Sequence, residues 1–382
     1  MMKLTDLLLQ ISYDLHYSPN DWAKELNIPL NEVGSYFTGE KEVPFFPFLL
    51  LVRQNYQDYE KQKAIFSTYA ETLYTAPNIL YAMELTSQMG EIELLNKLIE
   101  KGNTSSDSIV QEWAEMYTFL HNRDKIREDD FFYNTKKATL KSTEMQILLE
   151  TLRAYILTDL EANMSIDKLY DDVSPQLEKV ENEYIRNALQ TRLHSSTVYS
   201  MLRLNLVGKV RKIGEQYLND EEAKLCFPIK YTYILHRYAM SFLYENPDKA
   251  IKRLEDSIDI LKQLPNAAAR HYINEHEKSI AFVKNLWEID QPEPDDIPEK
   301  IHYFIAQHQY EKAQALLLEL KKKQPLTEFQ DYYWGIAFSD EKALQRSYER
   351  FRSNGNFFFA VLPVRQLSRI SLERLKNKKL KN

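Results

Sequence analysis

Eight histidines are scattered along the 382-residue chain. His271 and His276 stand five apart, which does not place two imidazoles on one helix face, and no metal-binding pair motif occurs. Cys226, the single cysteine, has no obvious catalytic partner. Glycine-rich phosphate loops and nucleophile elbows are missing too, so neither enzyme activity nor a metal or cofactor is expected. The chemistry that remains is recognition. In "SPNDWAKELNIPLNEVGSYFTGE" (18–40), Ser18 can cap a helix whose apolar positions are Trp22, Ala23 and Leu26. Asn27 and Ile28 make a turn, and Pro29 can start a second helix ending at Gly39. On residues 29–38 as a helix, Leu30, Val33 and Phe37 turn inward, while Asn31, Ser35 and Thr38 form an outer stripe able to meet base edges in a major groove. Lys41 can reach a phosphate, and the apolar helix 44–56 closes the small core. Residues 1–60 hold four Lys or Arg against nine Asp or Glu, a poor electrostatic match for DNA. The "HNRDKIR" loop (121–127), Lys61 and Lys63 could add basic contacts.

Behind this unit the chain reads as helix almost everywhere. Segments 142–160, 182–205, 246–264 and 309–323 carry apolar residues at three- and four-residue steps, with no competing two-residue alternation. Only 8 glycines occur, which disfavours sandwiches and phosphate-cradling α/β folds. The expected fold is all-α. Asp248-Lys249-Ala250, Glu311-Lys312-Ala313 and Glu341-Lys342-Ala343 open three segments alike, with an acid in the first turn and a small residue where a neighbour must come close. Their separations suit degenerate tetratricopeptide-like hairpins, which stack into a superhelix with a concave face. "KGNTSSDS" (101–108) reads as a surface loop and "DQPEPDDIPEK" (290–300) as a linker. The expected division is a helix-turn-helix over 1–58, a main array over 59–290 and a C-terminal array with a capping helix over 291–382. One cysteine, no signal peptide and a longest apolar run of only "VPFFPFLLLV" (43–52) lead to the expectation of a cytoplasmic protein away from the membrane.

At "NEYIRNALQTRLHSS" (182–196) the sequence resembles a known family. Tyr184-Ile185-Arg186-Asn187, Gln190-Thr191-Arg192 and His194 are similar to a helix of the AimR arbitrium receptors, phage transcription regulators of the lysis–lysogeny decision. Trp22-Ala23 falls inside a matching front unit, and "SNGNFFFAVLP" (353–363) resembles the family's last repeat. The resemblance implies a homodimer in the bacterial host cell, joined largely through C-terminal helices. It implies double-stranded operator DNA as one partner and a short secreted communication peptide as the other, held on the concave face and turning activation off. The family's two peptide-holding asparagines fall at Tyr199 and Arg203, or with a one-residue slip at Asn205. Its acidic residue in the last repeat falls at Asn356 or Gly355, and its glutamine at Pro298, beside Glu299.

A linear peptide presents a backbone, a carboxylate and a few side chains. Asn187, Asn205 and Arg203 could bond its backbone, and Lys230 or Arg237 its carboxylate. Glu299 or Asp331 could hold a basic residue, with Tyr199, Tyr233 and Tyr332 as apolar walls with polar tips. Leu367, Ile370 and Leu375 in "LPVRQLSRISLERL" (362–375) could meet a second copy, and the tail "KNKKLKN" is expected to lack structure. The acidic head leaves a second reading, a repeat adaptor for a protein partner that does not bind DNA.

Overall fold

The computed structural model describes residues 3–122, 140–160 and 162–379, so "HNRDKIR" from its third residue onward lies outside the described residues. Among them are twenty-one α-helices, two short 3-10 turns and no strand. The head holds α1 (Leu4–Leu15), α2 (Pro19–Glu25), α3 (Val33–Thr38) and α4 (Phe45–Asn55). Next come α5 (Tyr59–Thr72), α6 (Ala76–Met89), α7 (Ile92–Asn103), α8 (Ser108–His121), α9 (Thr143–Asp159), α10 (Asn163–Val173) and the long α11 (Glu183–Arg203). Then follow α12 (Val207–Tyr217), α13 (Glu221–Cys226), α14 (Pro228–Met240), α15 (Pro247–Leu261) and α16 (Ala267–Leu286). The last are α17 (Ile297–Ala306), α18 (Tyr310–Lys323), α19 (Glu328–Ala337), α20 (Glu341–Ser353) and α21 (Val361–Lys379). The basic tail expected to lack structure is therefore helical as far as Lys379, and 380–382 lie outside the described residues.

The helix boundaries follow from local chemistry. Ser18, Asp58, Asp107, Ser142, Asn182, Asn246, Asn266, Asp296, Thr327 and Asp340 each accept a first-turn backbone N–H, which satisfies donors that the helix leaves open. Glycine is so scarce that left-handed turns after helices fall to other residues: His16, Asn27, Asn205, Glu288, His308 and Ser339 all have positive φ. The repeated acid-Lys-Ala starts work as the spacing requires, because Ala250, Ala313 and Ala343 are all 0% exposed. Antiparallel neighbours α14–α15, α15–α16, α17–α18 and α19–α20 pack as helix hairpins.

Buried apolar side chains form two clusters, one from Leu7 to Phe227 and one from Val198 to Leu362. Helix α11 belongs to both: Tyr184, Ile185, Leu189 and Leu193 lie in the first, Val198, Met201 and Leu202 in the second. The head shares the first cluster, with the Phe45 ring 5.6 Å from Tyr184. A buried ion pair ties α11 to α6: Arg192 Nε donates to Glu84 Oε1 at 2.8 Å, and its Nη2 to Glu84 Oε2 and Ser87 Oγ. Tyr117 also donates to Glu84. At its other end α11 is closed by the last repeat, where Phe358 N donates to Arg203 O at 3.0 Å. Tyr244 Oη reaches Phe358 O, also at 3.0 Å.

Candidate functional site

The head forms where the sequence placed it, with differences in detail. Ser18 and Asp21 make a reciprocal cap, and Trp22 is buried, its Nε1 donating to Ser12 Oγ at 2.8 Å. The second helix, however, is a 3-10 turn (Leu30–Glu32) leading into α3. The break turns Leu30 outward, 52% exposed, and the inward positions pass to Val33 and Tyr36, with Phe37 against Trp22. Asn31 and Thr38 are exposed as expected. Ser35 is half-buried and its Oγ donates to Glu32 O at 2.6 Å, so its hydroxyl is already engaged. Lys41, expected to be available to phosphate, lies 2.8 Å from Glu32.

Four helices of the body bring a second group together. On α14, Lys230, Tyr233 and Arg237 stand at three- and four-residue steps and stay half-buried, while Tyr231, Ile234, Leu235 and Tyr238 enter the core. The Arg237 guanidinium lies between two rings, 4.8 Å from Tyr199 of α11 and 4.7 Å from Tyr233. Tyr272 of α16 meets Tyr233 edge-on at 5.8 Å. Lys230 Nζ sits 3.3 Å from the hydroxyl of Tyr155, on α9. Arg237 Nε is shielded from solvent and has no hydrogen-bond partner, and among the described residues neither Arg237 nor Lys230 forms an ion pair. Beneath Arg237, His236 and His276 stack at 4.3 Å. Burial pushes the His276 pKa down to about 4 and His236 well below the usual imidazole range, with Arg237 adding to the latter. Both rings are neutral at pH 7 and take no share in the positive charge above them. Of the residues expected to meet a peptide, the structure brings Tyr199, Lys230, Tyr233 and Arg237 together. Tyr155 and Tyr272 stand beside them, although each looks like an ordinary core aromatic until its helix is placed.

Other expected peptide residues are used elsewhere. Asn187 lies sixteen positions before Arg203, about 160° around the helix, and donates to Glu222 Oε1 at 2.9 Å. Asn205 falls beyond the helix, exposed in a left-handed turn with φ of 62°. Arg203 lies 5.6 Å from the Tyr199 ring, but its Nη2 holds Asn354 O at 2.7 Å. Asn356 is buried, accepting from Phe359 N at 3.4 Å. Asp331 is already neutralised: Arg346 donates to Oδ1 at 2.8 Å and Arg350 to Oδ2 at 2.8 Å. Glu299 is buried against Asn285, whose Nδ2 donates to its carbonyl at 3.1 Å and its carboxylate at 3.4 Å. Tyr332 is buried and borders a separate groove of about 750 Å³ near Trp287, His302, Arg365 and Ile370.

On α21, Leu367 and Ile370 are half-buried against the second cluster, and Leu375 is 57% exposed. Val364, Leu367 and Leu372 with Tyr348 of α20 line a shallow apolar groove of about 490 Å³. No group of three or more His, Cys, Asp or Glu among the described residues could hold a metal ion. No helix among them is long and apolar enough to cross a membrane.

Comparison with known proteins accords with this architecture. The profile of a family described as AimR transcriptional regulator-like matches residues 62–369. An uncharacterized protein of Bacillus anthracis is 25% identical over 246 residues, 64% of this chain and 91% of that protein. The AimR transcriptional regulator of Bacillus phage phi3T is 24% identical over 296 residues, 73% of this chain and 74% of its own. Among solved structures, selenomethionine phAimR superposes with a TM-score of 0.75 over 96% of this chain and 97% of that one, at 17% identity. A phAimR–ligand structure gives 0.66 over 87% and 99%, at 20% identity. With its profile matched from the first body helix into the last, this chain belongs to the AimR transcriptional regulator-like family.

Proposed function

We propose that the protein is a peptide-responsive, DNA-binding transcription regulator of the arbitrium type, acting as a dimer in the cytoplasm of a bacterial host. The observation that carries the reading is Arg237, held between Tyr199 and Tyr233 with an unsatisfied Nε and no carboxylate partner among the described residues. A guanidinium so placed suits a carboxylate brought by a ligand. The peptide lies against α9, α11, α14 and α16. The head, residues 1–58, presents Asn31 and Thr38 to operator DNA, and Lys41 exchanges Glu32 for a phosphate. The main array spans 59–290 and the C-terminal array 291–382. In the latter the exposed apolar residues of α21 meet their counterparts on a second copy, with Leu367, Ile370 and Leu375 at or beside the contact.

Helix α11 offers the physical link between the two sites. Tyr199 near its end lines the cleft, Arg192 anchors its middle to Glu84, and Tyr184 near its start packs on Phe45 of the head. A ligand that favours one seating of α11 thereby favours one placement of the head. Footprinting on DNA flanking the gene, at low salt and with and without peptide, tests the reading. A protected two-fold site that peptide abolishes is expected. The acidic head favours the adaptor reading instead, and absence of any protected site at low salt would overturn the transcription-factor reading.

A further inference from the structure

We infer that the peptide this cleft selects is anionic beyond its terminal carboxylate: it carries an acidic side chain about three residues from its C-terminus. The inference rests on the peptide-receptor reading above and adds the chemical class of the ligand. Two cations on α14, Lys230 and Arg237, form no ion pair among the described residues. Lys230 donates to the hydroxyl of Tyr155 at 3.3 Å and lies 5.6 Å from its ring, and Arg237 is flanked by tyrosine rings over neutral histidines. Two carboxylates expected to receive a basic ligand residue are committed within the protein. Asp331 is bound by two arginines and Glu299 is buried against Asn285. On the cleft helices themselves Glu150 pairs with Arg153, and Glu275 with Lys278. A basic residue placed between these two groups would meet like charge, whereas a second carboxylate meets a preorganised cation.

The spacing supplies the position. Lys230 and Arg237 are seven residues apart on α14, about 10 Å along the helix axis, which is the span of about three residues of extended peptide. One cation takes the terminal carboxylate and the other the acidic side chain.

The test uses the full-length protein and three pools of hexapeptides with free C-termini, differing only in Glu, Gln or Arg at the third position from the end. Affinities are measured by calorimetry or fluorescence anisotropy at two salt concentrations. The Glu pool is expected to bind at least about tenfold more tightly than the Gln pool, as for a charge-assisted contact, and to lose that advantage at high salt. Of Arg237→Gln and Lys230→Gln, the variant at the cation that takes the acidic side chain should bring the Glu pool down to the level of the Gln pool, the other should weaken both pools alike, and the ligand-free melting temperature checks that each variant folds. Equal or tighter binding of the Gln or Arg pool would overturn the anionic assignment while leaving a peptide receptor. A Glu preference untouched by both Gln variants would overturn the assignment to this cleft. Failure of every pool to bind would remove the peptide-receptor reading and this inference with it.

Discussion

In the head, Lys41 lies 2.8 Å from Glu32, Ser18 and Asp21 bond each other, and Trp22 donates to Ser12. In the body, Arg237 keeps a shielded donor with no acceptor, and Lys230 donates to the Tyr155 hydroxyl and forms no ion pair among the described residues. The head thus satisfies much of its polar chemistry internally, whereas the cleft holds charge in place without discharging it. Internal pairing suits a small unit that needs every bond to hold a seven-residue and a six-residue helix in place. A preorganised cation suits a surface waiting for a guest, because the cost of orienting it was met when the chain folded. On the proposed reading, Lys41 would reach a phosphate only by giving up Glu32, whereas Arg237 would gain a partner without losing one.

Predictions that break or sharpen this contrast run from large to small. The strongest effect is expected at α11, which joins the two regions. Arg192→Leu strands Glu84 in the core and should cost about 3–5 kcal/mol in a urea titration, with head and body unfolding together because they share one apolar cluster. Two separate transitions would show the regions to be independent. Next is pH. Burial pulls the pKa of His194 and of His276 down to about 4 from 6.5. Both must be neutral when folded but can protonate when unfolded, so their contribution is complete above pH 6.5 and is lost as pH falls towards 4. Each is worth on the order of 3 kcal/mol across that window. Melting curves at pH 7 and 5 should differ accordingly, and His276→Gln should reduce the difference.

Smaller effects belong to the head. Asn31→Ala should weaken operator binding by about 1–3 kcal/mol with no change in melting temperature, since Asn31 is exposed. Unchanged affinity in a gel shift would mean that another face meets the DNA. Glu32→Gln should do the reverse on a smaller scale. By releasing Lys41 to phosphate it should tighten DNA binding by less than about 1 kcal/mol and steepen its salt dependence. No change would indicate that Lys41 points away from the duplex.

Apolar spacing, Ser, Asp and Asn caps and the lack of two-residue alternation marked out helices such as 143–159, 183–203, 247–261 and 310–323 to within a few residues. These are local properties, written in neighbouring residues. Lys230, Tyr233 and Arg237 stood out by residue type, and the three- and four-residue steps of α14 place them on one face. Which polar groups remain available was not legible. Asp331 and Glu299 looked as open to a ligand as Arg237 did, and only packing brought Arg346, Arg350 and Asn285 onto them. Tyr155 and Tyr272 joined the cleft from helices about 120 residues apart. Helical periodicity is set within a turn or two of the chain, but whether a charge is spent depends on what folds against it. That assignment belongs to tertiary structure alone.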